Sequence, residues 1–143
     1  MKVKDIMTTS VEIIHPDARL VEAAQKMKTL NVGSLPVCDG ERLKGMLTDR
    51  DITIRAVAEG MNPNEITVQD VMSPEVVYCF EDQEVEDAAK LMGQKQIRRL
   101  PVLNQHKRLV GILALGDVSV DYQDDKTTGK TLEKISEPSR PER

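Results

Sequence analysis

Hydrophobic residues along the chain follow two spacings, which together predict an α/β (α+β) fold. The β-branched run Val11–Ile14 predicts a short strand that ends at His15-Pro16. Over residues 18–30 the apolar spacing changes to three and four, which indicates one face of a helix with Asp17 at its N-cap. The residues of that face are Leu20, Ala23, Ala24 and Met27.

A hairpin and a second helix come next. Leu35–Cys38 and Leu43–Leu47 predict two antiparallel strands, because they flank Asp39-Gly40, a dipeptide that favours a tight turn. Residues 50–59 then predict a helix that ends at Gly60. Its apolar residues occupy more than one side, which is more than one small sheet can cover. They are Ile52, Ile54, Ala56 and Val57.

The whole series occurs twice, so the chain is a duplication. Leu35-Pro36-Val37 returns 65 residues later as Leu100-Pro101-Val102, and the stretch Gly45–Asp51 returns 66 residues later as Gly111–Asp117. Two copies at so long a period indicate one supersecondary unit used twice rather than a solenoid. The second copy predicts a strand over 76–80, a helix capped by Asp82 with Val85, Ala88, Ala89 and Met92 on its apolar face, a hairpin over 100–113, and a short helix opened by Asp117.

These repeats define the predicted domains: a first copy over residues 1–60, a polar linker over 61–66, a second copy over 67–121 and a polar tail over 122–143. Half-domains of about 60 residues are marginal alone, so we expect the two copies to depend on each other. We expect a loose tail with one docked helical turn, for which Leu132 and Ile135 offer the apolar pair.

Charge and composition argue against several classes of partner. The chain carries 20 basic and 24 acidic residues without a basic run, which argues against nucleic acid as the main partner. No apolar run approaches the ~20 residues that span a bilayer, and no signal-peptide core comes after Met1, so we expect a cytoplasmic protein with no membrane partner. Cys38 and Cys79 occupy non-equivalent places in the repeats and are interpreted as buried or incidental thiols.

Candidates for catalysis and metal binding are weak. His15 and His106 lie in predicted turns, and no Cys/His spacing is typical of a metal site, so we expect solvent-facing histidines. No nucleophile–base constellation or phosphate loop is present in the sequence. We therefore expect neither a metal site nor an enzyme.

The doubled β-α-β-β-α pattern, with an apolar-Pro-Val segment before each hairpin and Gly-x-x-Thr-x-x-Asp after the first, resembles the cystathionine-β-synthase (CBS) domain pair, or Bateman module. The resemblance covers about residues 3–121, and a chain made of this pair and a short tail looks like the stand-alone bacterial CBS-pair proteins. It implies tandem repeats related by pseudo-twofold symmetry, and two chains forming a flat homodimer.

The resemblance also implies a ligand class. Such pairs bind AMP, ADP or ATP, and sometimes S-adenosylmethionine or a dinucleotide such as NAD, in two clefts between their half-domains, as regulatory ligands rather than required cofactors. In the family pattern the motif's aspartate accepts from the ribose hydroxyls and its threonine contacts phosphate, roles that fall on Asp51 and Thr48. The implied adenine slot comprises Ser10, Val11, Ile13, Leu35 and Pro36.

Thr48 and Asp51 also fit a capping box, which would stabilise the second helix without any ligand. Spacing alone favours this interpretation. The second copy bears on the choice, because Asp117 is present although Ala114 has no hydroxyl with which to cap. An aspartate without a capping partner fits a ribose contact better, although an acid is favourable in the first turn of any helix.

Arg98-Arg99 replaces the Gly33-Ser34 of the first copy. The resemblance implies that these cations reach the phosphates of a nucleotide held by the other half. They would then serve the cleft of Thr48 and Asp51, which we call the first cleft; the cleft of Asp117 is the second. The alternative is that one or both are ordinary solvated arginines. On the first interpretation the two clefts are unequal, and only the first attracts phosphate strongly.

The sequence leaves two candidate functions. The first is an adenosine-nucleotide sensor that signals to a separate effector protein, since no effector domain is fused in this chain. The alternative is a structural or interaction module, a dimer whose clefts are vestigial. Resemblance of fold does not choose between them.

Overall fold

The computed structural model describes residues 1–119 and 131–135. The described chain divides into two compact units: one is Glu12–Val76, and the other combines Met1–Val11 with the described residues from Val77 onward. We call these the continuous unit and the split unit. The predicted domains follow the sequence repeats, whereas the compact units assign residues 1–11 to the same body as the second copy.

The continuous unit is a helix and hairpin followed by short helices. Its elements are α1 (Leu20–Leu30), β1 (Ser34–Asp39), β2 (Arg42–Thr48), α2 (Asp49–Asp51) with a π-helical continuation (Ile52–Val57), and α3 (Val68–Val71). β1 and β2 pair antiparallel, with a bulge at Val37/Cys38 and a turn in which Gly40 has φ 62°. That left-handed conformation favours glycine, so the predicted Asp39-Gly40 hairpin is confirmed.

The split unit repeats this topology with one more strand. Val3–Asp5 forms a 3-10 turn, and the later elements are β3 (Cys79–Phe80), α4 (Val85–Lys95), β4 (Arg99–Leu103), β5 (Leu109–Ala114) and α5 (Leu115–Asp117). The sheet order is β3-β4-β5, with β3 parallel to β4 and β4 antiparallel to β5.

Each unit has its own core, built on the helix face that the apolar spacing predicts. In α4 all four predicted face residues are fully buried, and in α1 Leu20, Ala23 and Met27 are buried while Ala24 is partly exposed. A fully buried aliphatic side chain contributes roughly 1.5–3 kcal/mol, so these faces hold each helix against its sheet. Across residues 1–119 and 131–135, no helix combines the length and apolarity needed to cross a membrane.

The predicted helix caps, Asp17 and Asp82, are wrong. The N-cap positions are Arg19 and Glu84, and neither side chain caps its helix. Backbone carbonyls from distant segments take this role instead: Leu20 N–H donates to Ile66 at 3.0 Å, and Val85 N–H donates to Met1 at 3.0 Å. A first-turn N–H needs an acceptor of any kind, and local sequence does not indicate a distant one.

The predicted strands over 11–14 and 76–80 are also wrong in extent. The first is a single bridge, in which Ile14 pairs parallel with Val37, and the second shrinks to Cys79–Phe80. Next to the bridge, the Lys26 ammonium donates to the Ile13 carbonyl at 2.6 Å. The Ile13 carbonyl thus accepts from the Lys26 side chain, whereas in a longer strand it would accept from a backbone N–H.

The helix predicted over 50–59 begins at Asp49, winds as a π-helix over Ile52–Val57, and is followed by Gly60 at φ 73°. In the second copy the helix opens at Leu115, so Asp117 is its third residue rather than its first.

Residues 131–135 form a helical turn that we call the tail segment. Thr131 is buried and its hydroxyl donates to the Ala89 carbonyl of α4 at 3.2 Å. Ile135 packs against the split-unit core, whereas Leu132 is exposed. The predicted docked turn is confirmed, with Thr131 rather than Leu132 as the partner of Ile135. The remaining tail, residues 122–130 and 136–143, lies outside the described residues.

Candidate functional site

Thr48 and Asp51 form a reciprocal capping box where β2 passes into α2. Thr48 N–H donates to Asp51 Oδ2 at 2.9 Å, and Asp51 N–H donates to Thr48 Oγ1 at 3.0 Å. The capping interpretation is therefore confirmed. The box still leaves two groups open, namely the hydroxyl hydrogen of Thr48 and the Oδ1 oxygen of Asp51, whose side chain is only 14% exposed.

The same carboxylate contact recurs throughout the molecule. In each repeat two aspartates, one at the lead-in turn and one after the hairpin, accept from the backbone N–H three residues earlier. The expectation that Asp117 lacks a capping partner is wrong. The backbone N–H of Ala114 donates to the Asp117 carboxylate, and this contact does not need a side-chain hydroxyl at position 114. The donors and acceptors are Lys2 to Asp5 at 2.8 Å, and Thr48 to Asp51, Thr67 to Asp70 and Ala114 to Asp117 at 2.9 Å each.

A second group of contacts explains the motif glycines, whose role the sequence alone did not indicate. A methyl group added to Gly45 would lie 2.6 Å from the Ser73 carbonyl oxygen, and one added to Gly111 would lie 2.9 Å from the Thr8 carbonyl oxygen. Paired backbone hydrogen bonds hold these crossings, between Met46 and Ser73 and between Thr8 and Ile112. Each glycine makes room for the segment just after a lead-in turn.

Arg98 and Arg99 occupy the backbone positions that Gly33 and Ser34 hold in the continuous unit. Ser34 is opposite Thr48 in the hairpin, as Arg99 is opposite Ala114. Both arginines are exposed, and within residues 1–119 and 131–135 neither forms an ion pair. They belong to the split unit and Thr48 to the continuous unit, so their service to the first cleft stays a prediction.

The residues of the implied adenine slot are likewise divided. Ile13, Leu35 and Pro36 belong to the continuous unit, where Leu35 and Pro36 are buried and Ile13 is partly exposed. Ser10 and Val11 belong to the split unit, with Ser10 exposed. The Ile13 carbonyl already accepts from Lys26, whose ammonium also lies 3.2 Å from Glu12 Oε2.

Sequence reasoning missed Arg55. Its Nε lies 3.8 Å from Asp51 Oδ1, and its Nη1 donates to the carbonyls of Val71 at 3.4 Å and Met72 at 3.3 Å. The sequence did indicate that Arg55 would meet Asp51, because an acid and a base four residues apart are neighbours on a helix surface.

The thiols and histidines offer little chemistry. Burial raises the pKa of Cys38 to about 11 and that of Cys79 to about 12, so at neutral pH both are protonated and poor nucleophiles. His15 Nε2 lies 3.4 Å from Asp39 Oδ1 at the exposed hairpin turn. In residues 1–119 and 131–135, no group of three His, Cys, Asp or Glu side chains is placed to hold a metal ion.

Comparison with known proteins places this geometry in one family. The CBS domain family matches residues 3–57 and 68–120. CBS domain-containing protein YhcV of Bacillus subtilis (strain 168) is 47% identical over 134 residues, which are 94% of each chain.

Two solved structures share the fold. The CBS domain pair of protein MJ0100, in complex with 5-methylthioadenosine and S-adenosyl-L-methionine, is 31% identical with a TM-score of 0.71 over 83% of this chain and 97% of that one. CBSX2 in complex with AMP is 27% identical with a TM-score of 0.73 over 87% and 98%. Since the family matches both repeats and a relative aligns along nearly the whole chain, this protein belongs to the CBS domain family and is a CBS domain pair.

Proposed function

We propose that this CBS domain pair is an adenosine-nucleotide sensor that signals its ligand state to a separate partner protein. One observation carries the proposal: Asp51 is an almost buried carboxylate with one oxygen free of any N–H donor at hydrogen-bond distance among the described residues. A carboxylate oxygen of this kind suits a vicinal diol, because charge-assisted hydrogen bonds are roughly twice as strong as neutral ones. The Thr48 hydroxyl beside it retains a hydrogen to donate to phosphate.

The ligand complexes of the two solved relatives support this class of ligand. AMP, ADP and ATP are our first candidates, with S-adenosylmethionine and NAD as the others. Arg98 and Arg99 supply exposed cations, and guanidinium groups match phosphate oxygens in bidentate geometry. We propose that they favour phosphorylated ligands over adenosine, and that removing both, or adding salt, abolishes that preference.

The test must separate ligand binding from helix capping, because Asp51 caps α2 whether or not a ligand binds. Asp51→Asn retains an amide oxygen to accept from Thr48 N–H but loses the charge. Asp70→Asn is the matched control, because Asp70 makes the same capping contact in α3. In titration calorimetry we expect AMP to bind the wild type and the control alike, and to bind Asp51→Asn at least tenfold more weakly.

A second candidate function is favoured by the capping box itself, which accounts for both residues without a ligand. If no adenosine compound at millimolar concentration binds the wild type, the interaction module with vestigial clefts is the better description. A bound nucleotide at a hundred times its Kd would add about 2.7 kcal/mol of stability, so a thermal melt checks the same point.

We also propose that the chain forms a homodimer. Ile54 and Val57 of the π-helical stretch are exposed, as is Met61 just beyond it, and Val57 is 62% exposed. These three exposed apolar side chains lie within eight residues of one another in the chain, and monomeric proteins rarely expose large contiguous apolar patches. Light scattering at micromolar protein should give a dimer, and Val57→Asp should give a monomer; a monomeric wild type would contradict the proposal.

A further inference from the structure

Among the described residues, Arg55 is the side chain that contacts both the Asp51 carboxylate and the end of α3. Its guanidinium faces three acceptors: Asp51 Oδ1 at 3.8 Å, the Val71 carbonyl at 3.4 Å and the Met72 carbonyl at 3.3 Å. Charge-assisted N–H···O bonds are normally about 2.7–2.9 Å long. All three contacts are longer than this, so three acceptors share one guanidinium.

The end of α3 leads back to the candidate site through the backbone. Ser73, directly after Met72, exchanges hydrogen bonds with Met46 of β2 at 2.9 and 3.0 Å. Gly45 allows this close crossing. Because β2 ends two residues later at Thr48, a closed path of contacts joins the carboxylate, the guanidinium, the α3 end and the hairpin.

Resting on the nucleotide site proposed above, we infer that Arg55 is a positioning residue that couples the state of the Asp51 carboxylate to the end of α3. When hydroxyl donors satisfy Asp51 Oδ1, the carboxylate attracts Arg55 less strongly. The guanidinium then moves wholly to the Val71 and Met72 carbonyls and tightens the α3 end. The π-helical winding that carries Arg55 is a rare geometry that is frequent at functional sites.

The repeat provides an internal contrast. The position equivalent to Arg55 in the second copy is Asp121, an anion that cannot donate to carbonyls. Its structure lies outside the described residues, but its residue type alone confines this form of coupling to the continuous unit. Occupancy of the two clefts would then have different structural consequences.

Amide hydrogen exchange at Met72 and Ser73 tests the inference without any ligand, since Asp51→Asn mimics a satisfied carboxylate. We expect this variant to slow exchange at both amides several-fold, Arg55→Met to speed it, and Asp51→Asn to have no further effect in the Arg55→Met background. Arg42→Met, which removes an exposed cation at the far end of β2, should leave exchange unchanged. An equal effect of Asp51→Asn with and without Arg55, or no effect with Arg55 present, would overturn the coupling.

A second arm uses AMP at saturating concentration. We expect AMP to slow exchange at Met72 and Ser73 in the wild type and in Arg42→Met, and to change it less than twofold in Arg55→Met although AMP still binds. A wild-type protein that binds neither AMP nor any other adenosine compound would refute the proposed function, while the ligand-free variants would still decide the role of Arg55. Retention of the full AMP response in Arg55→Met would refute that role alone.

Discussion

The continuous unit and the split unit place the same backbone contacts around different side chains. Both have an aspartate that accepts from an N-cap N–H after the hairpin, and both have a glycine under a crossing segment. They differ in the groups next to these contacts: Thr48 against Ala114, and Gly33-Ser34 against Arg98-Arg99. The duplicated capping and crossing contacts form the scaffold, and the differences between the copies therefore mark where binding chemistry should be sought.

The largest expected effect tests the shared scaffold. Gly45→Ala would place a methyl group 2.6 Å from the Ser73 carbonyl, and Gly111→Ala would place one 2.9 Å from the Thr8 carbonyl. Overpacking against backbone costs about 1–3 kcal/mol, and we expect Gly45→Ala at the upper end of that range.

Gly116→Ala is the control for both changes, because its methyl group would meet open space within α5. There we expect a neutral or slightly stabilising effect, since alanine is the better helix former. Denaturant unfolding of the three variants measures the difference. Equal stability of Gly45→Ala and the wild type would contradict the close crossing.

An intermediate effect tests the main difference between the units. Ala114→Thr restores to the split unit the hydroxyl that Thr48 provides in the continuous unit, and the backbone at position 114 (φ −104°, ψ 153°) is close to that at Thr48 (φ −114°, ψ 160°). Completing the capping box should raise the free energy of unfolding by about 1 kcal/mol. Ala114→Val, with the same shape and no hydroxyl, should give no such gain; stabilisation by valine equal to that by threonine would show that packing rather than capping is responsible.

The smallest effect concerns the tail segment, which docks on the split unit. Thr131→Val removes the hydroxyl that donates to the Ala89 carbonyl. Because this bond is long at 3.2 Å, we expect a loss of about 0.5 kcal/mol in unfolding free energy, the lower end of the range for one hydrogen bond. Thr53→Val is the matched control, because that hydroxyl also donates to a helix carbonyl but is exposed, so its loss should cost less. The two values come from the same chemical denaturation measurements, and a larger loss at Thr53 would argue against docking of the tail.

The helix faces and hairpins were predictable because they depend on local spacing. Leu20, Ala23 and Met27 lie where the helical period places them, and Gly40 turns where Asp39-Gly40 predicts a turn. The helix starts were not predictable, because carbonyls of Ile66 and Met1, far away in sequence, replace the expected side-chain caps.

In the candidate site, the Thr48–Asp51 pair could be predicted from its spacing. Two other features depend on segments that are distant in sequence. The role of Gly45 depends on Ser73, which is 28 residues further along the chain, and the role of Arg55 depends on carbonyls of α3. Only the i,i+4 spacing of Asp51 and Arg55 indicated that these two residues would meet.

The assignment of residues 1–11 to the split unit has a consequence for synthesis of the chain. Translation proceeds at roughly 5–20 residues per second and domains generally fold as units. Glu12–Val76 is contiguous, so this unit has all its residues as soon as Val76 has left the ribosome. The segment that carries Val3 and Ile6, both in the core of the other unit, leaves the ribosome before the α4 and β4 residues against which it packs. For several seconds these two apolar side chains are available to chaperones or to a neighbouring nascent chain, whose second repeat they could complete.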